Sequence, residues 1–504
     1  MMTKGKHAHF LVAGLLLILN AAPCFPSASP AELSRRIDGL LGKPWLRNVL
    51  FSACVIRCDT GEVVYAQNPG LGLMPASNMK IVTSAAALEH LGPDFSFITR
   101  VGLIDGSLAV IGGGDPLLGD KETDKMNGKR GRTVIQDIVA RLKSMGVSEV
   151  SDVLLDTSVF DEVRVHPSWP PEQLQQKYAC EVSGLNYNGN CVAISVFNQE
   201  GKVILVQDPP NDYVALINAV TPGPRRSNKF MVDRTESLSR FLVQGVCGRQ
   251  AGPYSVAVEN PALFFGHLLR QALLKAGLRV SGGVRESPLL PGAEFRPVAE
   301  YRTSLGDCLR RMNKDSLGLA AEALFKTVGA QSHPDGRRGS WPDGQRVLSG
   351  YLKGLGLDES DFLVADGSGL SRDNLLSAKA LTRVLSHLAA GHYWEFFKST
   401  LSVGGFDGTI KRHFWEKNYR GRVLAKSGYI MAVRALSGVV RTDSGDYIFS
   451  FLANRGGNGS RLAIDASVKA IIDWAAKPVL VRREDRAPAA RRPVRVRSTG
   501  TGRG

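Results

Sequence analysis

Ser77-Asn78-Met79-Lys80 sets a hydroxyl and an amine three residues apart. A serine hydroxyl is a weak nucleophile until a base takes its proton, and residues three apart on a helix lie side by side. Lys80 could be that base if burial or nearby cations lower its affinity for a proton. A helix N-terminus at Ser77 would also aim the Ser77 N–H at a developing oxyanion. On four residues alone, a helix-capping serine with a solvated lysine is the simpler explanation. Lys426-Ser427-Gly428 is a second pairing of lysine with hydroxyl. It suits a substrate's terminal carboxylate, and Gly428 would let substrate backbone come close. As an isolated tripeptide it reads equally as a turn with an exposed lysine.

The elements that must position these residues are legible as patterns. Asn48 to Arg57 and Glu62 to Gln67 flank Asp59-Thr60-Gly61, with period-two alternation at Phe51, Ala53 and Val55, which predicts a hairpin. Met79, Val82, Ala86 and Leu91 fall at helical spacings, and Gly92-Pro93 ends a helix beginning near Ser77. From 94 to about 253 the texture changes to short strands and turns, which reads as an inserted unit. Pro261 to Lys275 then reads as an amphipathic helix closed by Gly277. A further helix begins near Ser316, its apolar face made by Leu317, Ala320, Ala321, Leu324 and Phe325. Val423 to Ala425, Ala435 to Val440 and Tyr447 to Ala453 read as strands, and a closing helix runs from about Arg461 to Ala475.

Taken together, several segments make the chain resemble the serine penicillin-binding protein and β-lactamase superfamily. They are Asp59 to Tyr65, Pro75 to Lys80, Gly114-Asp115-Pro116, Asp366 to Ser371, Gly404 to Thr409, Lys426-Ser427-Gly428 and Arg434 to Gly438. Within it the chain is most similar to the class C penicillin-binding carboxypeptidase/endopeptidase group, peptidase family S13, over roughly residues 40 to 475. Ser77 precedes Ser316 by 239 residues, a gap typical of that group, whose extra domains are inserted there. The resemblance implies Ser77 as nucleophile and Lys80 as its base, with Ser316 relaying a proton from Lys80 or Lys426 to the leaving amine. It places Lys426, Ser427 and Gly428 on a strand lining the cleft opposite Ser77, and makes the Tyr429 N–H the second oxyanion donor. One position departs from the pattern: the family has Ser-x-Asn where this chain has Ser316-Leu317-Gly318. Hydrogen bonds to a charged partner are worth about 1.5 to 3 kcal/mol, so the lost amide implies slower acylation, and Gly318→Asn is expected to restore it. Asn313 and Asn374 are the alternative sources of that amide.

Composition sets the boundaries. At 504 residues and 43% hydrophobic, the chain can bury more than one core. Lys4, Lys6 and the apolar run from Phe10 to Ala22 read as a secretory signal within 1–29, too short for the about 20 apolar residues of a comfortable membrane span. The net charge of +16 divides into +2 in this leader, +6 in an Arg-rich tail at 479–504 and about +8 in the body. The tail reads as disordered, either holding an anionic wall or membrane surface or simply solvated; the body's ordinary basicity implies no specific nucleic acid. Cys24 falls within the leader. Of the other six cysteines, Cys180 and Cys191 are the pair expected to bridge in an oxidising compartment. There is no His-Glu-x-x-His, paired-cysteine zinc spacing, phosphate loop or Gly-x-Ser-x-Gly elbow, so no metal or cofactor is implied.

The sequence therefore predicts an α/β (α+β) fold. A serine β-lactamase/penicillin-binding transpeptidase-like domain, an antiparallel sheet flanked by helices, is formed by 30–93 and 254–478 and interrupted by a β-rich inserted region at 94–253. The expected activity is that of a serine-type D-Ala-D-Ala carboxypeptidase or endopeptidase, exported and periplasmic or wall-associated, acting on peptidoglycan stem peptides through an acyl-enzyme at Ser77. β-Lactams would be its covalent inhibitors. A β-lactamase or esterase on the same fold, and a weakly active or inactive wall-binding homologue, are the alternatives.

Overall fold

The computed structural model describes residues 29–476 apart from 129–132, 236, 238, 290–293 and 334–337. The predicted leader, with Cys24, and the Arg-rich tail lie outside the described residues, save Ser29. Helix α1 (Pro30–Leu41) opens on a proline, whose missing N–H is no loss at a first helical position. It buries Leu33, Ile37 and Leu41, one every turn. The predicted hairpin follows as β1 (Leu50–Arg57) and β2 (Val63–Gln67). A short 3-10 turn, Ala76–Asn78, then leads into α2 (Met79–Leu91), so Ser77 lies in the turn before the α-helix proper.

The insertion begins with β3 (Ser96–Ile104), β4 (Ser107–Ile111) and β5 (Val153–Asp156), and continues through six strands between Cys191 and Ala257 that form two three-stranded sheets. It does not end at residue 253. Helix α3 (Pro261–Lys275) packs Phe264, Phe265, Leu269 and Leu273 into one apolar core with Val101, Val110 and Leu155. Strands β6 (Val284–Glu286) and β7 (Arg296–Ser304) complete a five-stranded sheet in the order β6-β5-β4-β3-β7. Pairing of β7 with β3 runs to Ser304 opposite Ser96, so the chain leaves this unit only at Leu305. Periodicity marks α3 as having a buried face; it does not say which core that face joins.

After α4 (Leu305–Lys314), α5 (Gly318–Gln331) and α6 (Ala378–Ala390), the chain supplies β8 (Ser402–Val403), β9 (Val423–Ile430), β10 (Val433–Thr442) and β11 (Gly445–Asn454), and closes on α7 (Asn458–Trp474). These strands join the first hairpin in one antiparallel sheet, ordered β8-β9-β10-β11-β1-β2. Period-two alternation divides its faces. Phe449, Phe451 and Ala453 of β11, with Phe51, Ala53 and Val55 of β1, share a core with α1 and α7. Ile448 and Leu452, with Cys54 and Ile56, face the core that contains α2, α5 and α6. Rather than exposing one side, α2 is buried continuously from Met79 to Leu88. Its run Thr83-Ser84-Ala85-Ala86-Ala87 has no bulky side chain, which lets neighbours enclose it on every side.

The helix expected near Ser316 is α5, which begins at Gly318, with Ser316 itself in the left-handed region (φ 59°) between α4 and α5. One local expectation changes. Cys180 and Cys191 are not bridged; both are buried, unbonded thiols. Burial pushes Cys191 up to about 12 and Cys180 well above its usual range, so neither is a ready thiolate. Spacing across a turn brings two cysteines near each other but does not set the geometry a disulfide requires. Protein denatured and alkylated without reductant should therefore carry the label on both Cys180 and Cys191, read by peptide mass. A linked Cys180–Cys191 peptide would contradict this arrangement.

Candidate active site

The backbone around Ser77 is held under constraint from two sides. Ala76, just before it, sits at φ 45°, in the left-handed region that a side chain disfavours. The loop through Gly369 packs so closely on this turn that a Cβ there would lie 1.8 Å from the Ala76 carbonyl oxygen. Across the cleft, a Cβ on Gly428 of β9 would lie 2.7 Å from the Pro75 carbonyl oxygen. Gly428 thus lets the strand approach the Ser77 turn, rather than only opening space for substrate backbone.

Three segments then bring their side chains together in one hydrogen-bonded line. Lys80 Nζ donates to Ser77 Oγ (3.1 Å) and to the Ser368 carbonyl (2.7 Å). Ser316 Oγ donates to Ser77 Oγ (2.9 Å), and Lys426 Nζ donates to Ser316 Oγ (3.0 Å) and to the Ser427 carbonyl (2.7 Å). The two lysines are 2% and 0% exposed. Burial holds Lys80 well below the ordinary lysine range, with the charges of Glu322 and Asp366 pulling it back up. Burial lowers Lys426 further, helped by the neighbouring Lys80 charge. A buried amine of reduced basicity beside a serine can act as a base, which a solvated lysine near neutrality cannot.

The opposite wall carries a second set of polar groups. Ser427 Oγ donates to Thr409 Oγ1 (2.7 Å), and both line a cleft of about 490 Å³ together with Ser77, Lys80 and Ser316. Tyr429, 69% exposed, stands at its mouth with the Arg434 guanidinium 4.1 Å from its ring centroid. Strand β8 pairs only with Leu424 and Ala425, which leaves the edge of β9 from Lys426 onward uncovered by a strand. All seven site residues expected from the sequence meet at this cleft or form its wall. Thr409 and the Ser368 carbonyl were not assigned roles from sequence, although both lie in segments that carried the family resemblance. Among the described residues, no cluster of His, Cys, Asp or Glu could hold a metal ion.

The insertion contributes Pro170, Gln173 and Tyr178 to the same cleft, which explains Gly318. A Cβ there would sit 2.9 Å from the Tyr178 carbonyl oxygen, closer than a real Cβ approaches anything. Backbone of the inserted unit crowds the β-carbon that an asparagine here would carry. Neither suggested substitute supplies its amide. Asn313 is buried, donating to Ser84 and Thr400, and Asn374 is buried, donating to Asp366 and the Ser371 carbonyl. The expectation for Gly318→Asn therefore reverses. Overpacking of this kind destabilises by about 1 to 3 kcal/mol, so the variant should melt lower and label with a fluorescent penicillin no faster than the parent. Faster labelling at an unchanged melting temperature would show that the Lys177–Ala179 turn moves aside readily.

The family model for D-Ala-D-Ala carboxypeptidase 3 (S13) matches residues 33–477. A D-alanyl-D-alanine carboxypeptidase of Actinomadura sp. (strain R39) is 30% identical over 483 residues, covering 90% of this chain and 87% of that protein. The D-alanyl-D-alanine carboxypeptidase DacB of Haemophilus influenzae is 25% identical, covering 86% and 89%. The crystal structure of penicillin-binding protein 4 (dacB) from Haemophilus influenzae superposes with a TM-score of 0.73 at 23% identity, covering 87% of this chain and 98% of that one, and shares the fold. With the match spanning all three cores and the segments that build the cleft, the chain belongs to the D-Ala-D-Ala carboxypeptidase 3 (S13) family.

Proposed function

We propose that this protein is an exported serine-type D-Ala-D-Ala carboxypeptidase/endopeptidase that cleaves peptidoglycan stem peptides through an acyl-enzyme at Ser77 and is acylated by β-lactams. The observation that carries the reading is the unbroken line from Lys80 through Ser77 and Ser316 to Lys426. Ser77 Oγ attacks the carbonyl of the penultimate D-Ala as its proton passes to the neutral amine of Lys80. The oxyanion faces the Ser77 and Tyr429 backbone N–H groups. The C–N bond breaks, and Ser316, hydrogen-bonded to both Ser77 and Lys426, passes a proton to the departing amine. Water then adds to the ester and frees Ser77. Ser427 and Thr409, beside the buried Lys426, suit the carboxylate of a terminal D-Ala; a cross-linked amine would leave from the same position. Two buried amines and four hydroxyls suffice for this acyl transfer, with no cofactor in the scheme.

Ser77→Ala should abolish covalent penicillin labelling in a folded protein, and Lys80→Ala should slow it by about 10²- to 10⁴-fold, the usual worth of a positioned base. Digestion of purified muropeptides, read by mass, should release D-Ala or split cross-links. A folded Ser77→Ala protein that labels at the parent rate would sink the mechanism. No helix among the described residues is long and apolar enough to cross a membrane. Retention at the wall or membrane surface is assigned to the eight arginines of the tail. Deleting 479–504 should leave soluble-peptide hydrolysis unchanged and weaken retention on isolated walls at low salt. High salt should erase the difference, as the Debye length falls to about 3 Å at 1 M; equal retention at low salt would remove this role.

A further inference from the structure

Behind the cleft, on the second turn of α5, lies a carboxylate for which the proton path has no use. Glu322 is buried and does not line the cleft. Its Oε1 accepts from the Ser368 N–H (2.7 Å), and its Oε2 accepts from the Gly367 N–H (3.2 Å) and the Trp341 indole N–H (2.8 Å). The carbonyl of that same Ser368 accepts from Lys80 Nζ (2.7 Å), and the Gly367 carbonyl accepts from the Thr83 hydroxyl (2.8 Å). One turn of backbone is therefore gripped by Glu322 on its N–H side and by α2 on its carbonyl side. Asp366 secures the remainder of the loop, accepting from the Gly369 and Ser371 N–H groups (2.7 and 2.6 Å) and from the Trp169 indole (2.9 Å).

We infer that Glu322 is a positioning residue for acylation: it fixes the Ser368 carbonyl that aims Lys80 at Ser77, and its negative charge sets how readily Lys80 gives up its proton. The inference rests on the roles of Ser77 and Lys80 proposed above. The charged and titratable groups around Glu322 come from every neighbouring element. They are Lys80 on α2, Asp366 on the loop, Lys326 one turn along α5 and bound to Asp161 of the insertion, and His166 of the insertion, edge-on to Trp341. Burial, then the Asp366 charge, raises Glu322 above the usual carboxylate range. Glu322 in turn opposes the effect of burial on Lys80.

The sign follows directly. An anion at position 322 favours the ammonium form of Lys80, and the base is the neutral amine, so acylation rises with pH as Lys80 deprotonates. Removing the charge moves that rise to lower pH. Losing the grip on Ser368 lowers the plateau, because Lys80 is then less well aimed. A purely structural Glu322 would lower the plateau and leave the rise in place.

The test is the pH dependence of acylation by a fluorescent penicillin in the full chain. Glu322→Gln should shift the rising limb down by about one pH unit, a tenfold change in the proton affinity of Lys80. Trp341→Phe keeps the carboxylate but removes a donor that stabilises its charge, and should shift the limb the same way by less. A limb at the parent pH in a folded Glu322→Gln protein overturns the inference, even if the plateau falls. If that variant does not fold, an unmoved limb in Trp341→Phe overturns it. Ser77→Ala separates this result from the reading beneath it: labelling that survives there removes the nucleophile, whereas a silent Ser77→Ala with an unmoved limb removes only the role of Glu322.

Discussion

Two lysine amines removed from water govern this molecule. An ammonium ion in a poorly solvated interior is costly unless it is paired or gives up its proton. Among the described residues, Lys80 and Lys426 form no ion pair with a carboxylate; they hydrogen-bond to hydroxyls and backbone carbonyls. That choice keeps their basicity low, where direct carboxylate partners would restore it. Lys326 makes the contrast within the same chain. It is equally buried but bonded to Asp161 at 2.6 Å, with the Trp341 ring 4.2 Å away, and it fastens the insertion to α5. Asp161 offsets only part of the effect of burial, which still holds Lys326 below the ordinary lysine range; what separates the three is that Lys80 and Lys426 bond to site hydroxyls and Lys326 to a carboxylate.

Holding two such amines beside one serine demands close backbone packing, and glycine provides it. The Ser77 turn is pressed between the Gly369 loop and the Gly428 strand, each too close for a β-carbon. A side chain at either position would push the loop or the strand away and lengthen the hydrogen bonds that align Ser77. Packing forces from the sheet and from the helical layer therefore meet at Ala76 and Ser77, where the left-handed backbone of Ala76 is the visible sign of the compression.

The insertion belongs to the site as much as to the periphery. Its Tyr178 carbonyl stands against Gly318, and Pro170 and Gln173 form part of the cleft wall. Its Trp169 indole N–H supports Asp366 in the loop that receives Lys80. A β-carbon at 318 and the observed path of Lys177–Ala179 conflict, so the glycine and the inserted backbone fit one another and one must shift if the other changes.

The sequence by itself determined the local elements and the identity of the chemistry. Alternation in β1, the glycine that ends α2 and the Ser77–Lys80 spacing depend on neighbours a few residues apart, and such patterns can be read directly. It also determined the family, because segments hundreds of residues apart matched in order. Tertiary structure alone decided which core α3 joins, whether Cys180 and Cys191 bond, what crowds a β-carbon at position 318 and what the buried carboxylate of Glu322 touches. Each of these depends on which surface meets which. Glu322 reads as an ordinary polar residue on an apolar helix until the Gly367–Ser368 backbone, 45 and 46 residues away, is folded against it. Long-range packing places a charge beside a particular peptide group, and no local pattern records that.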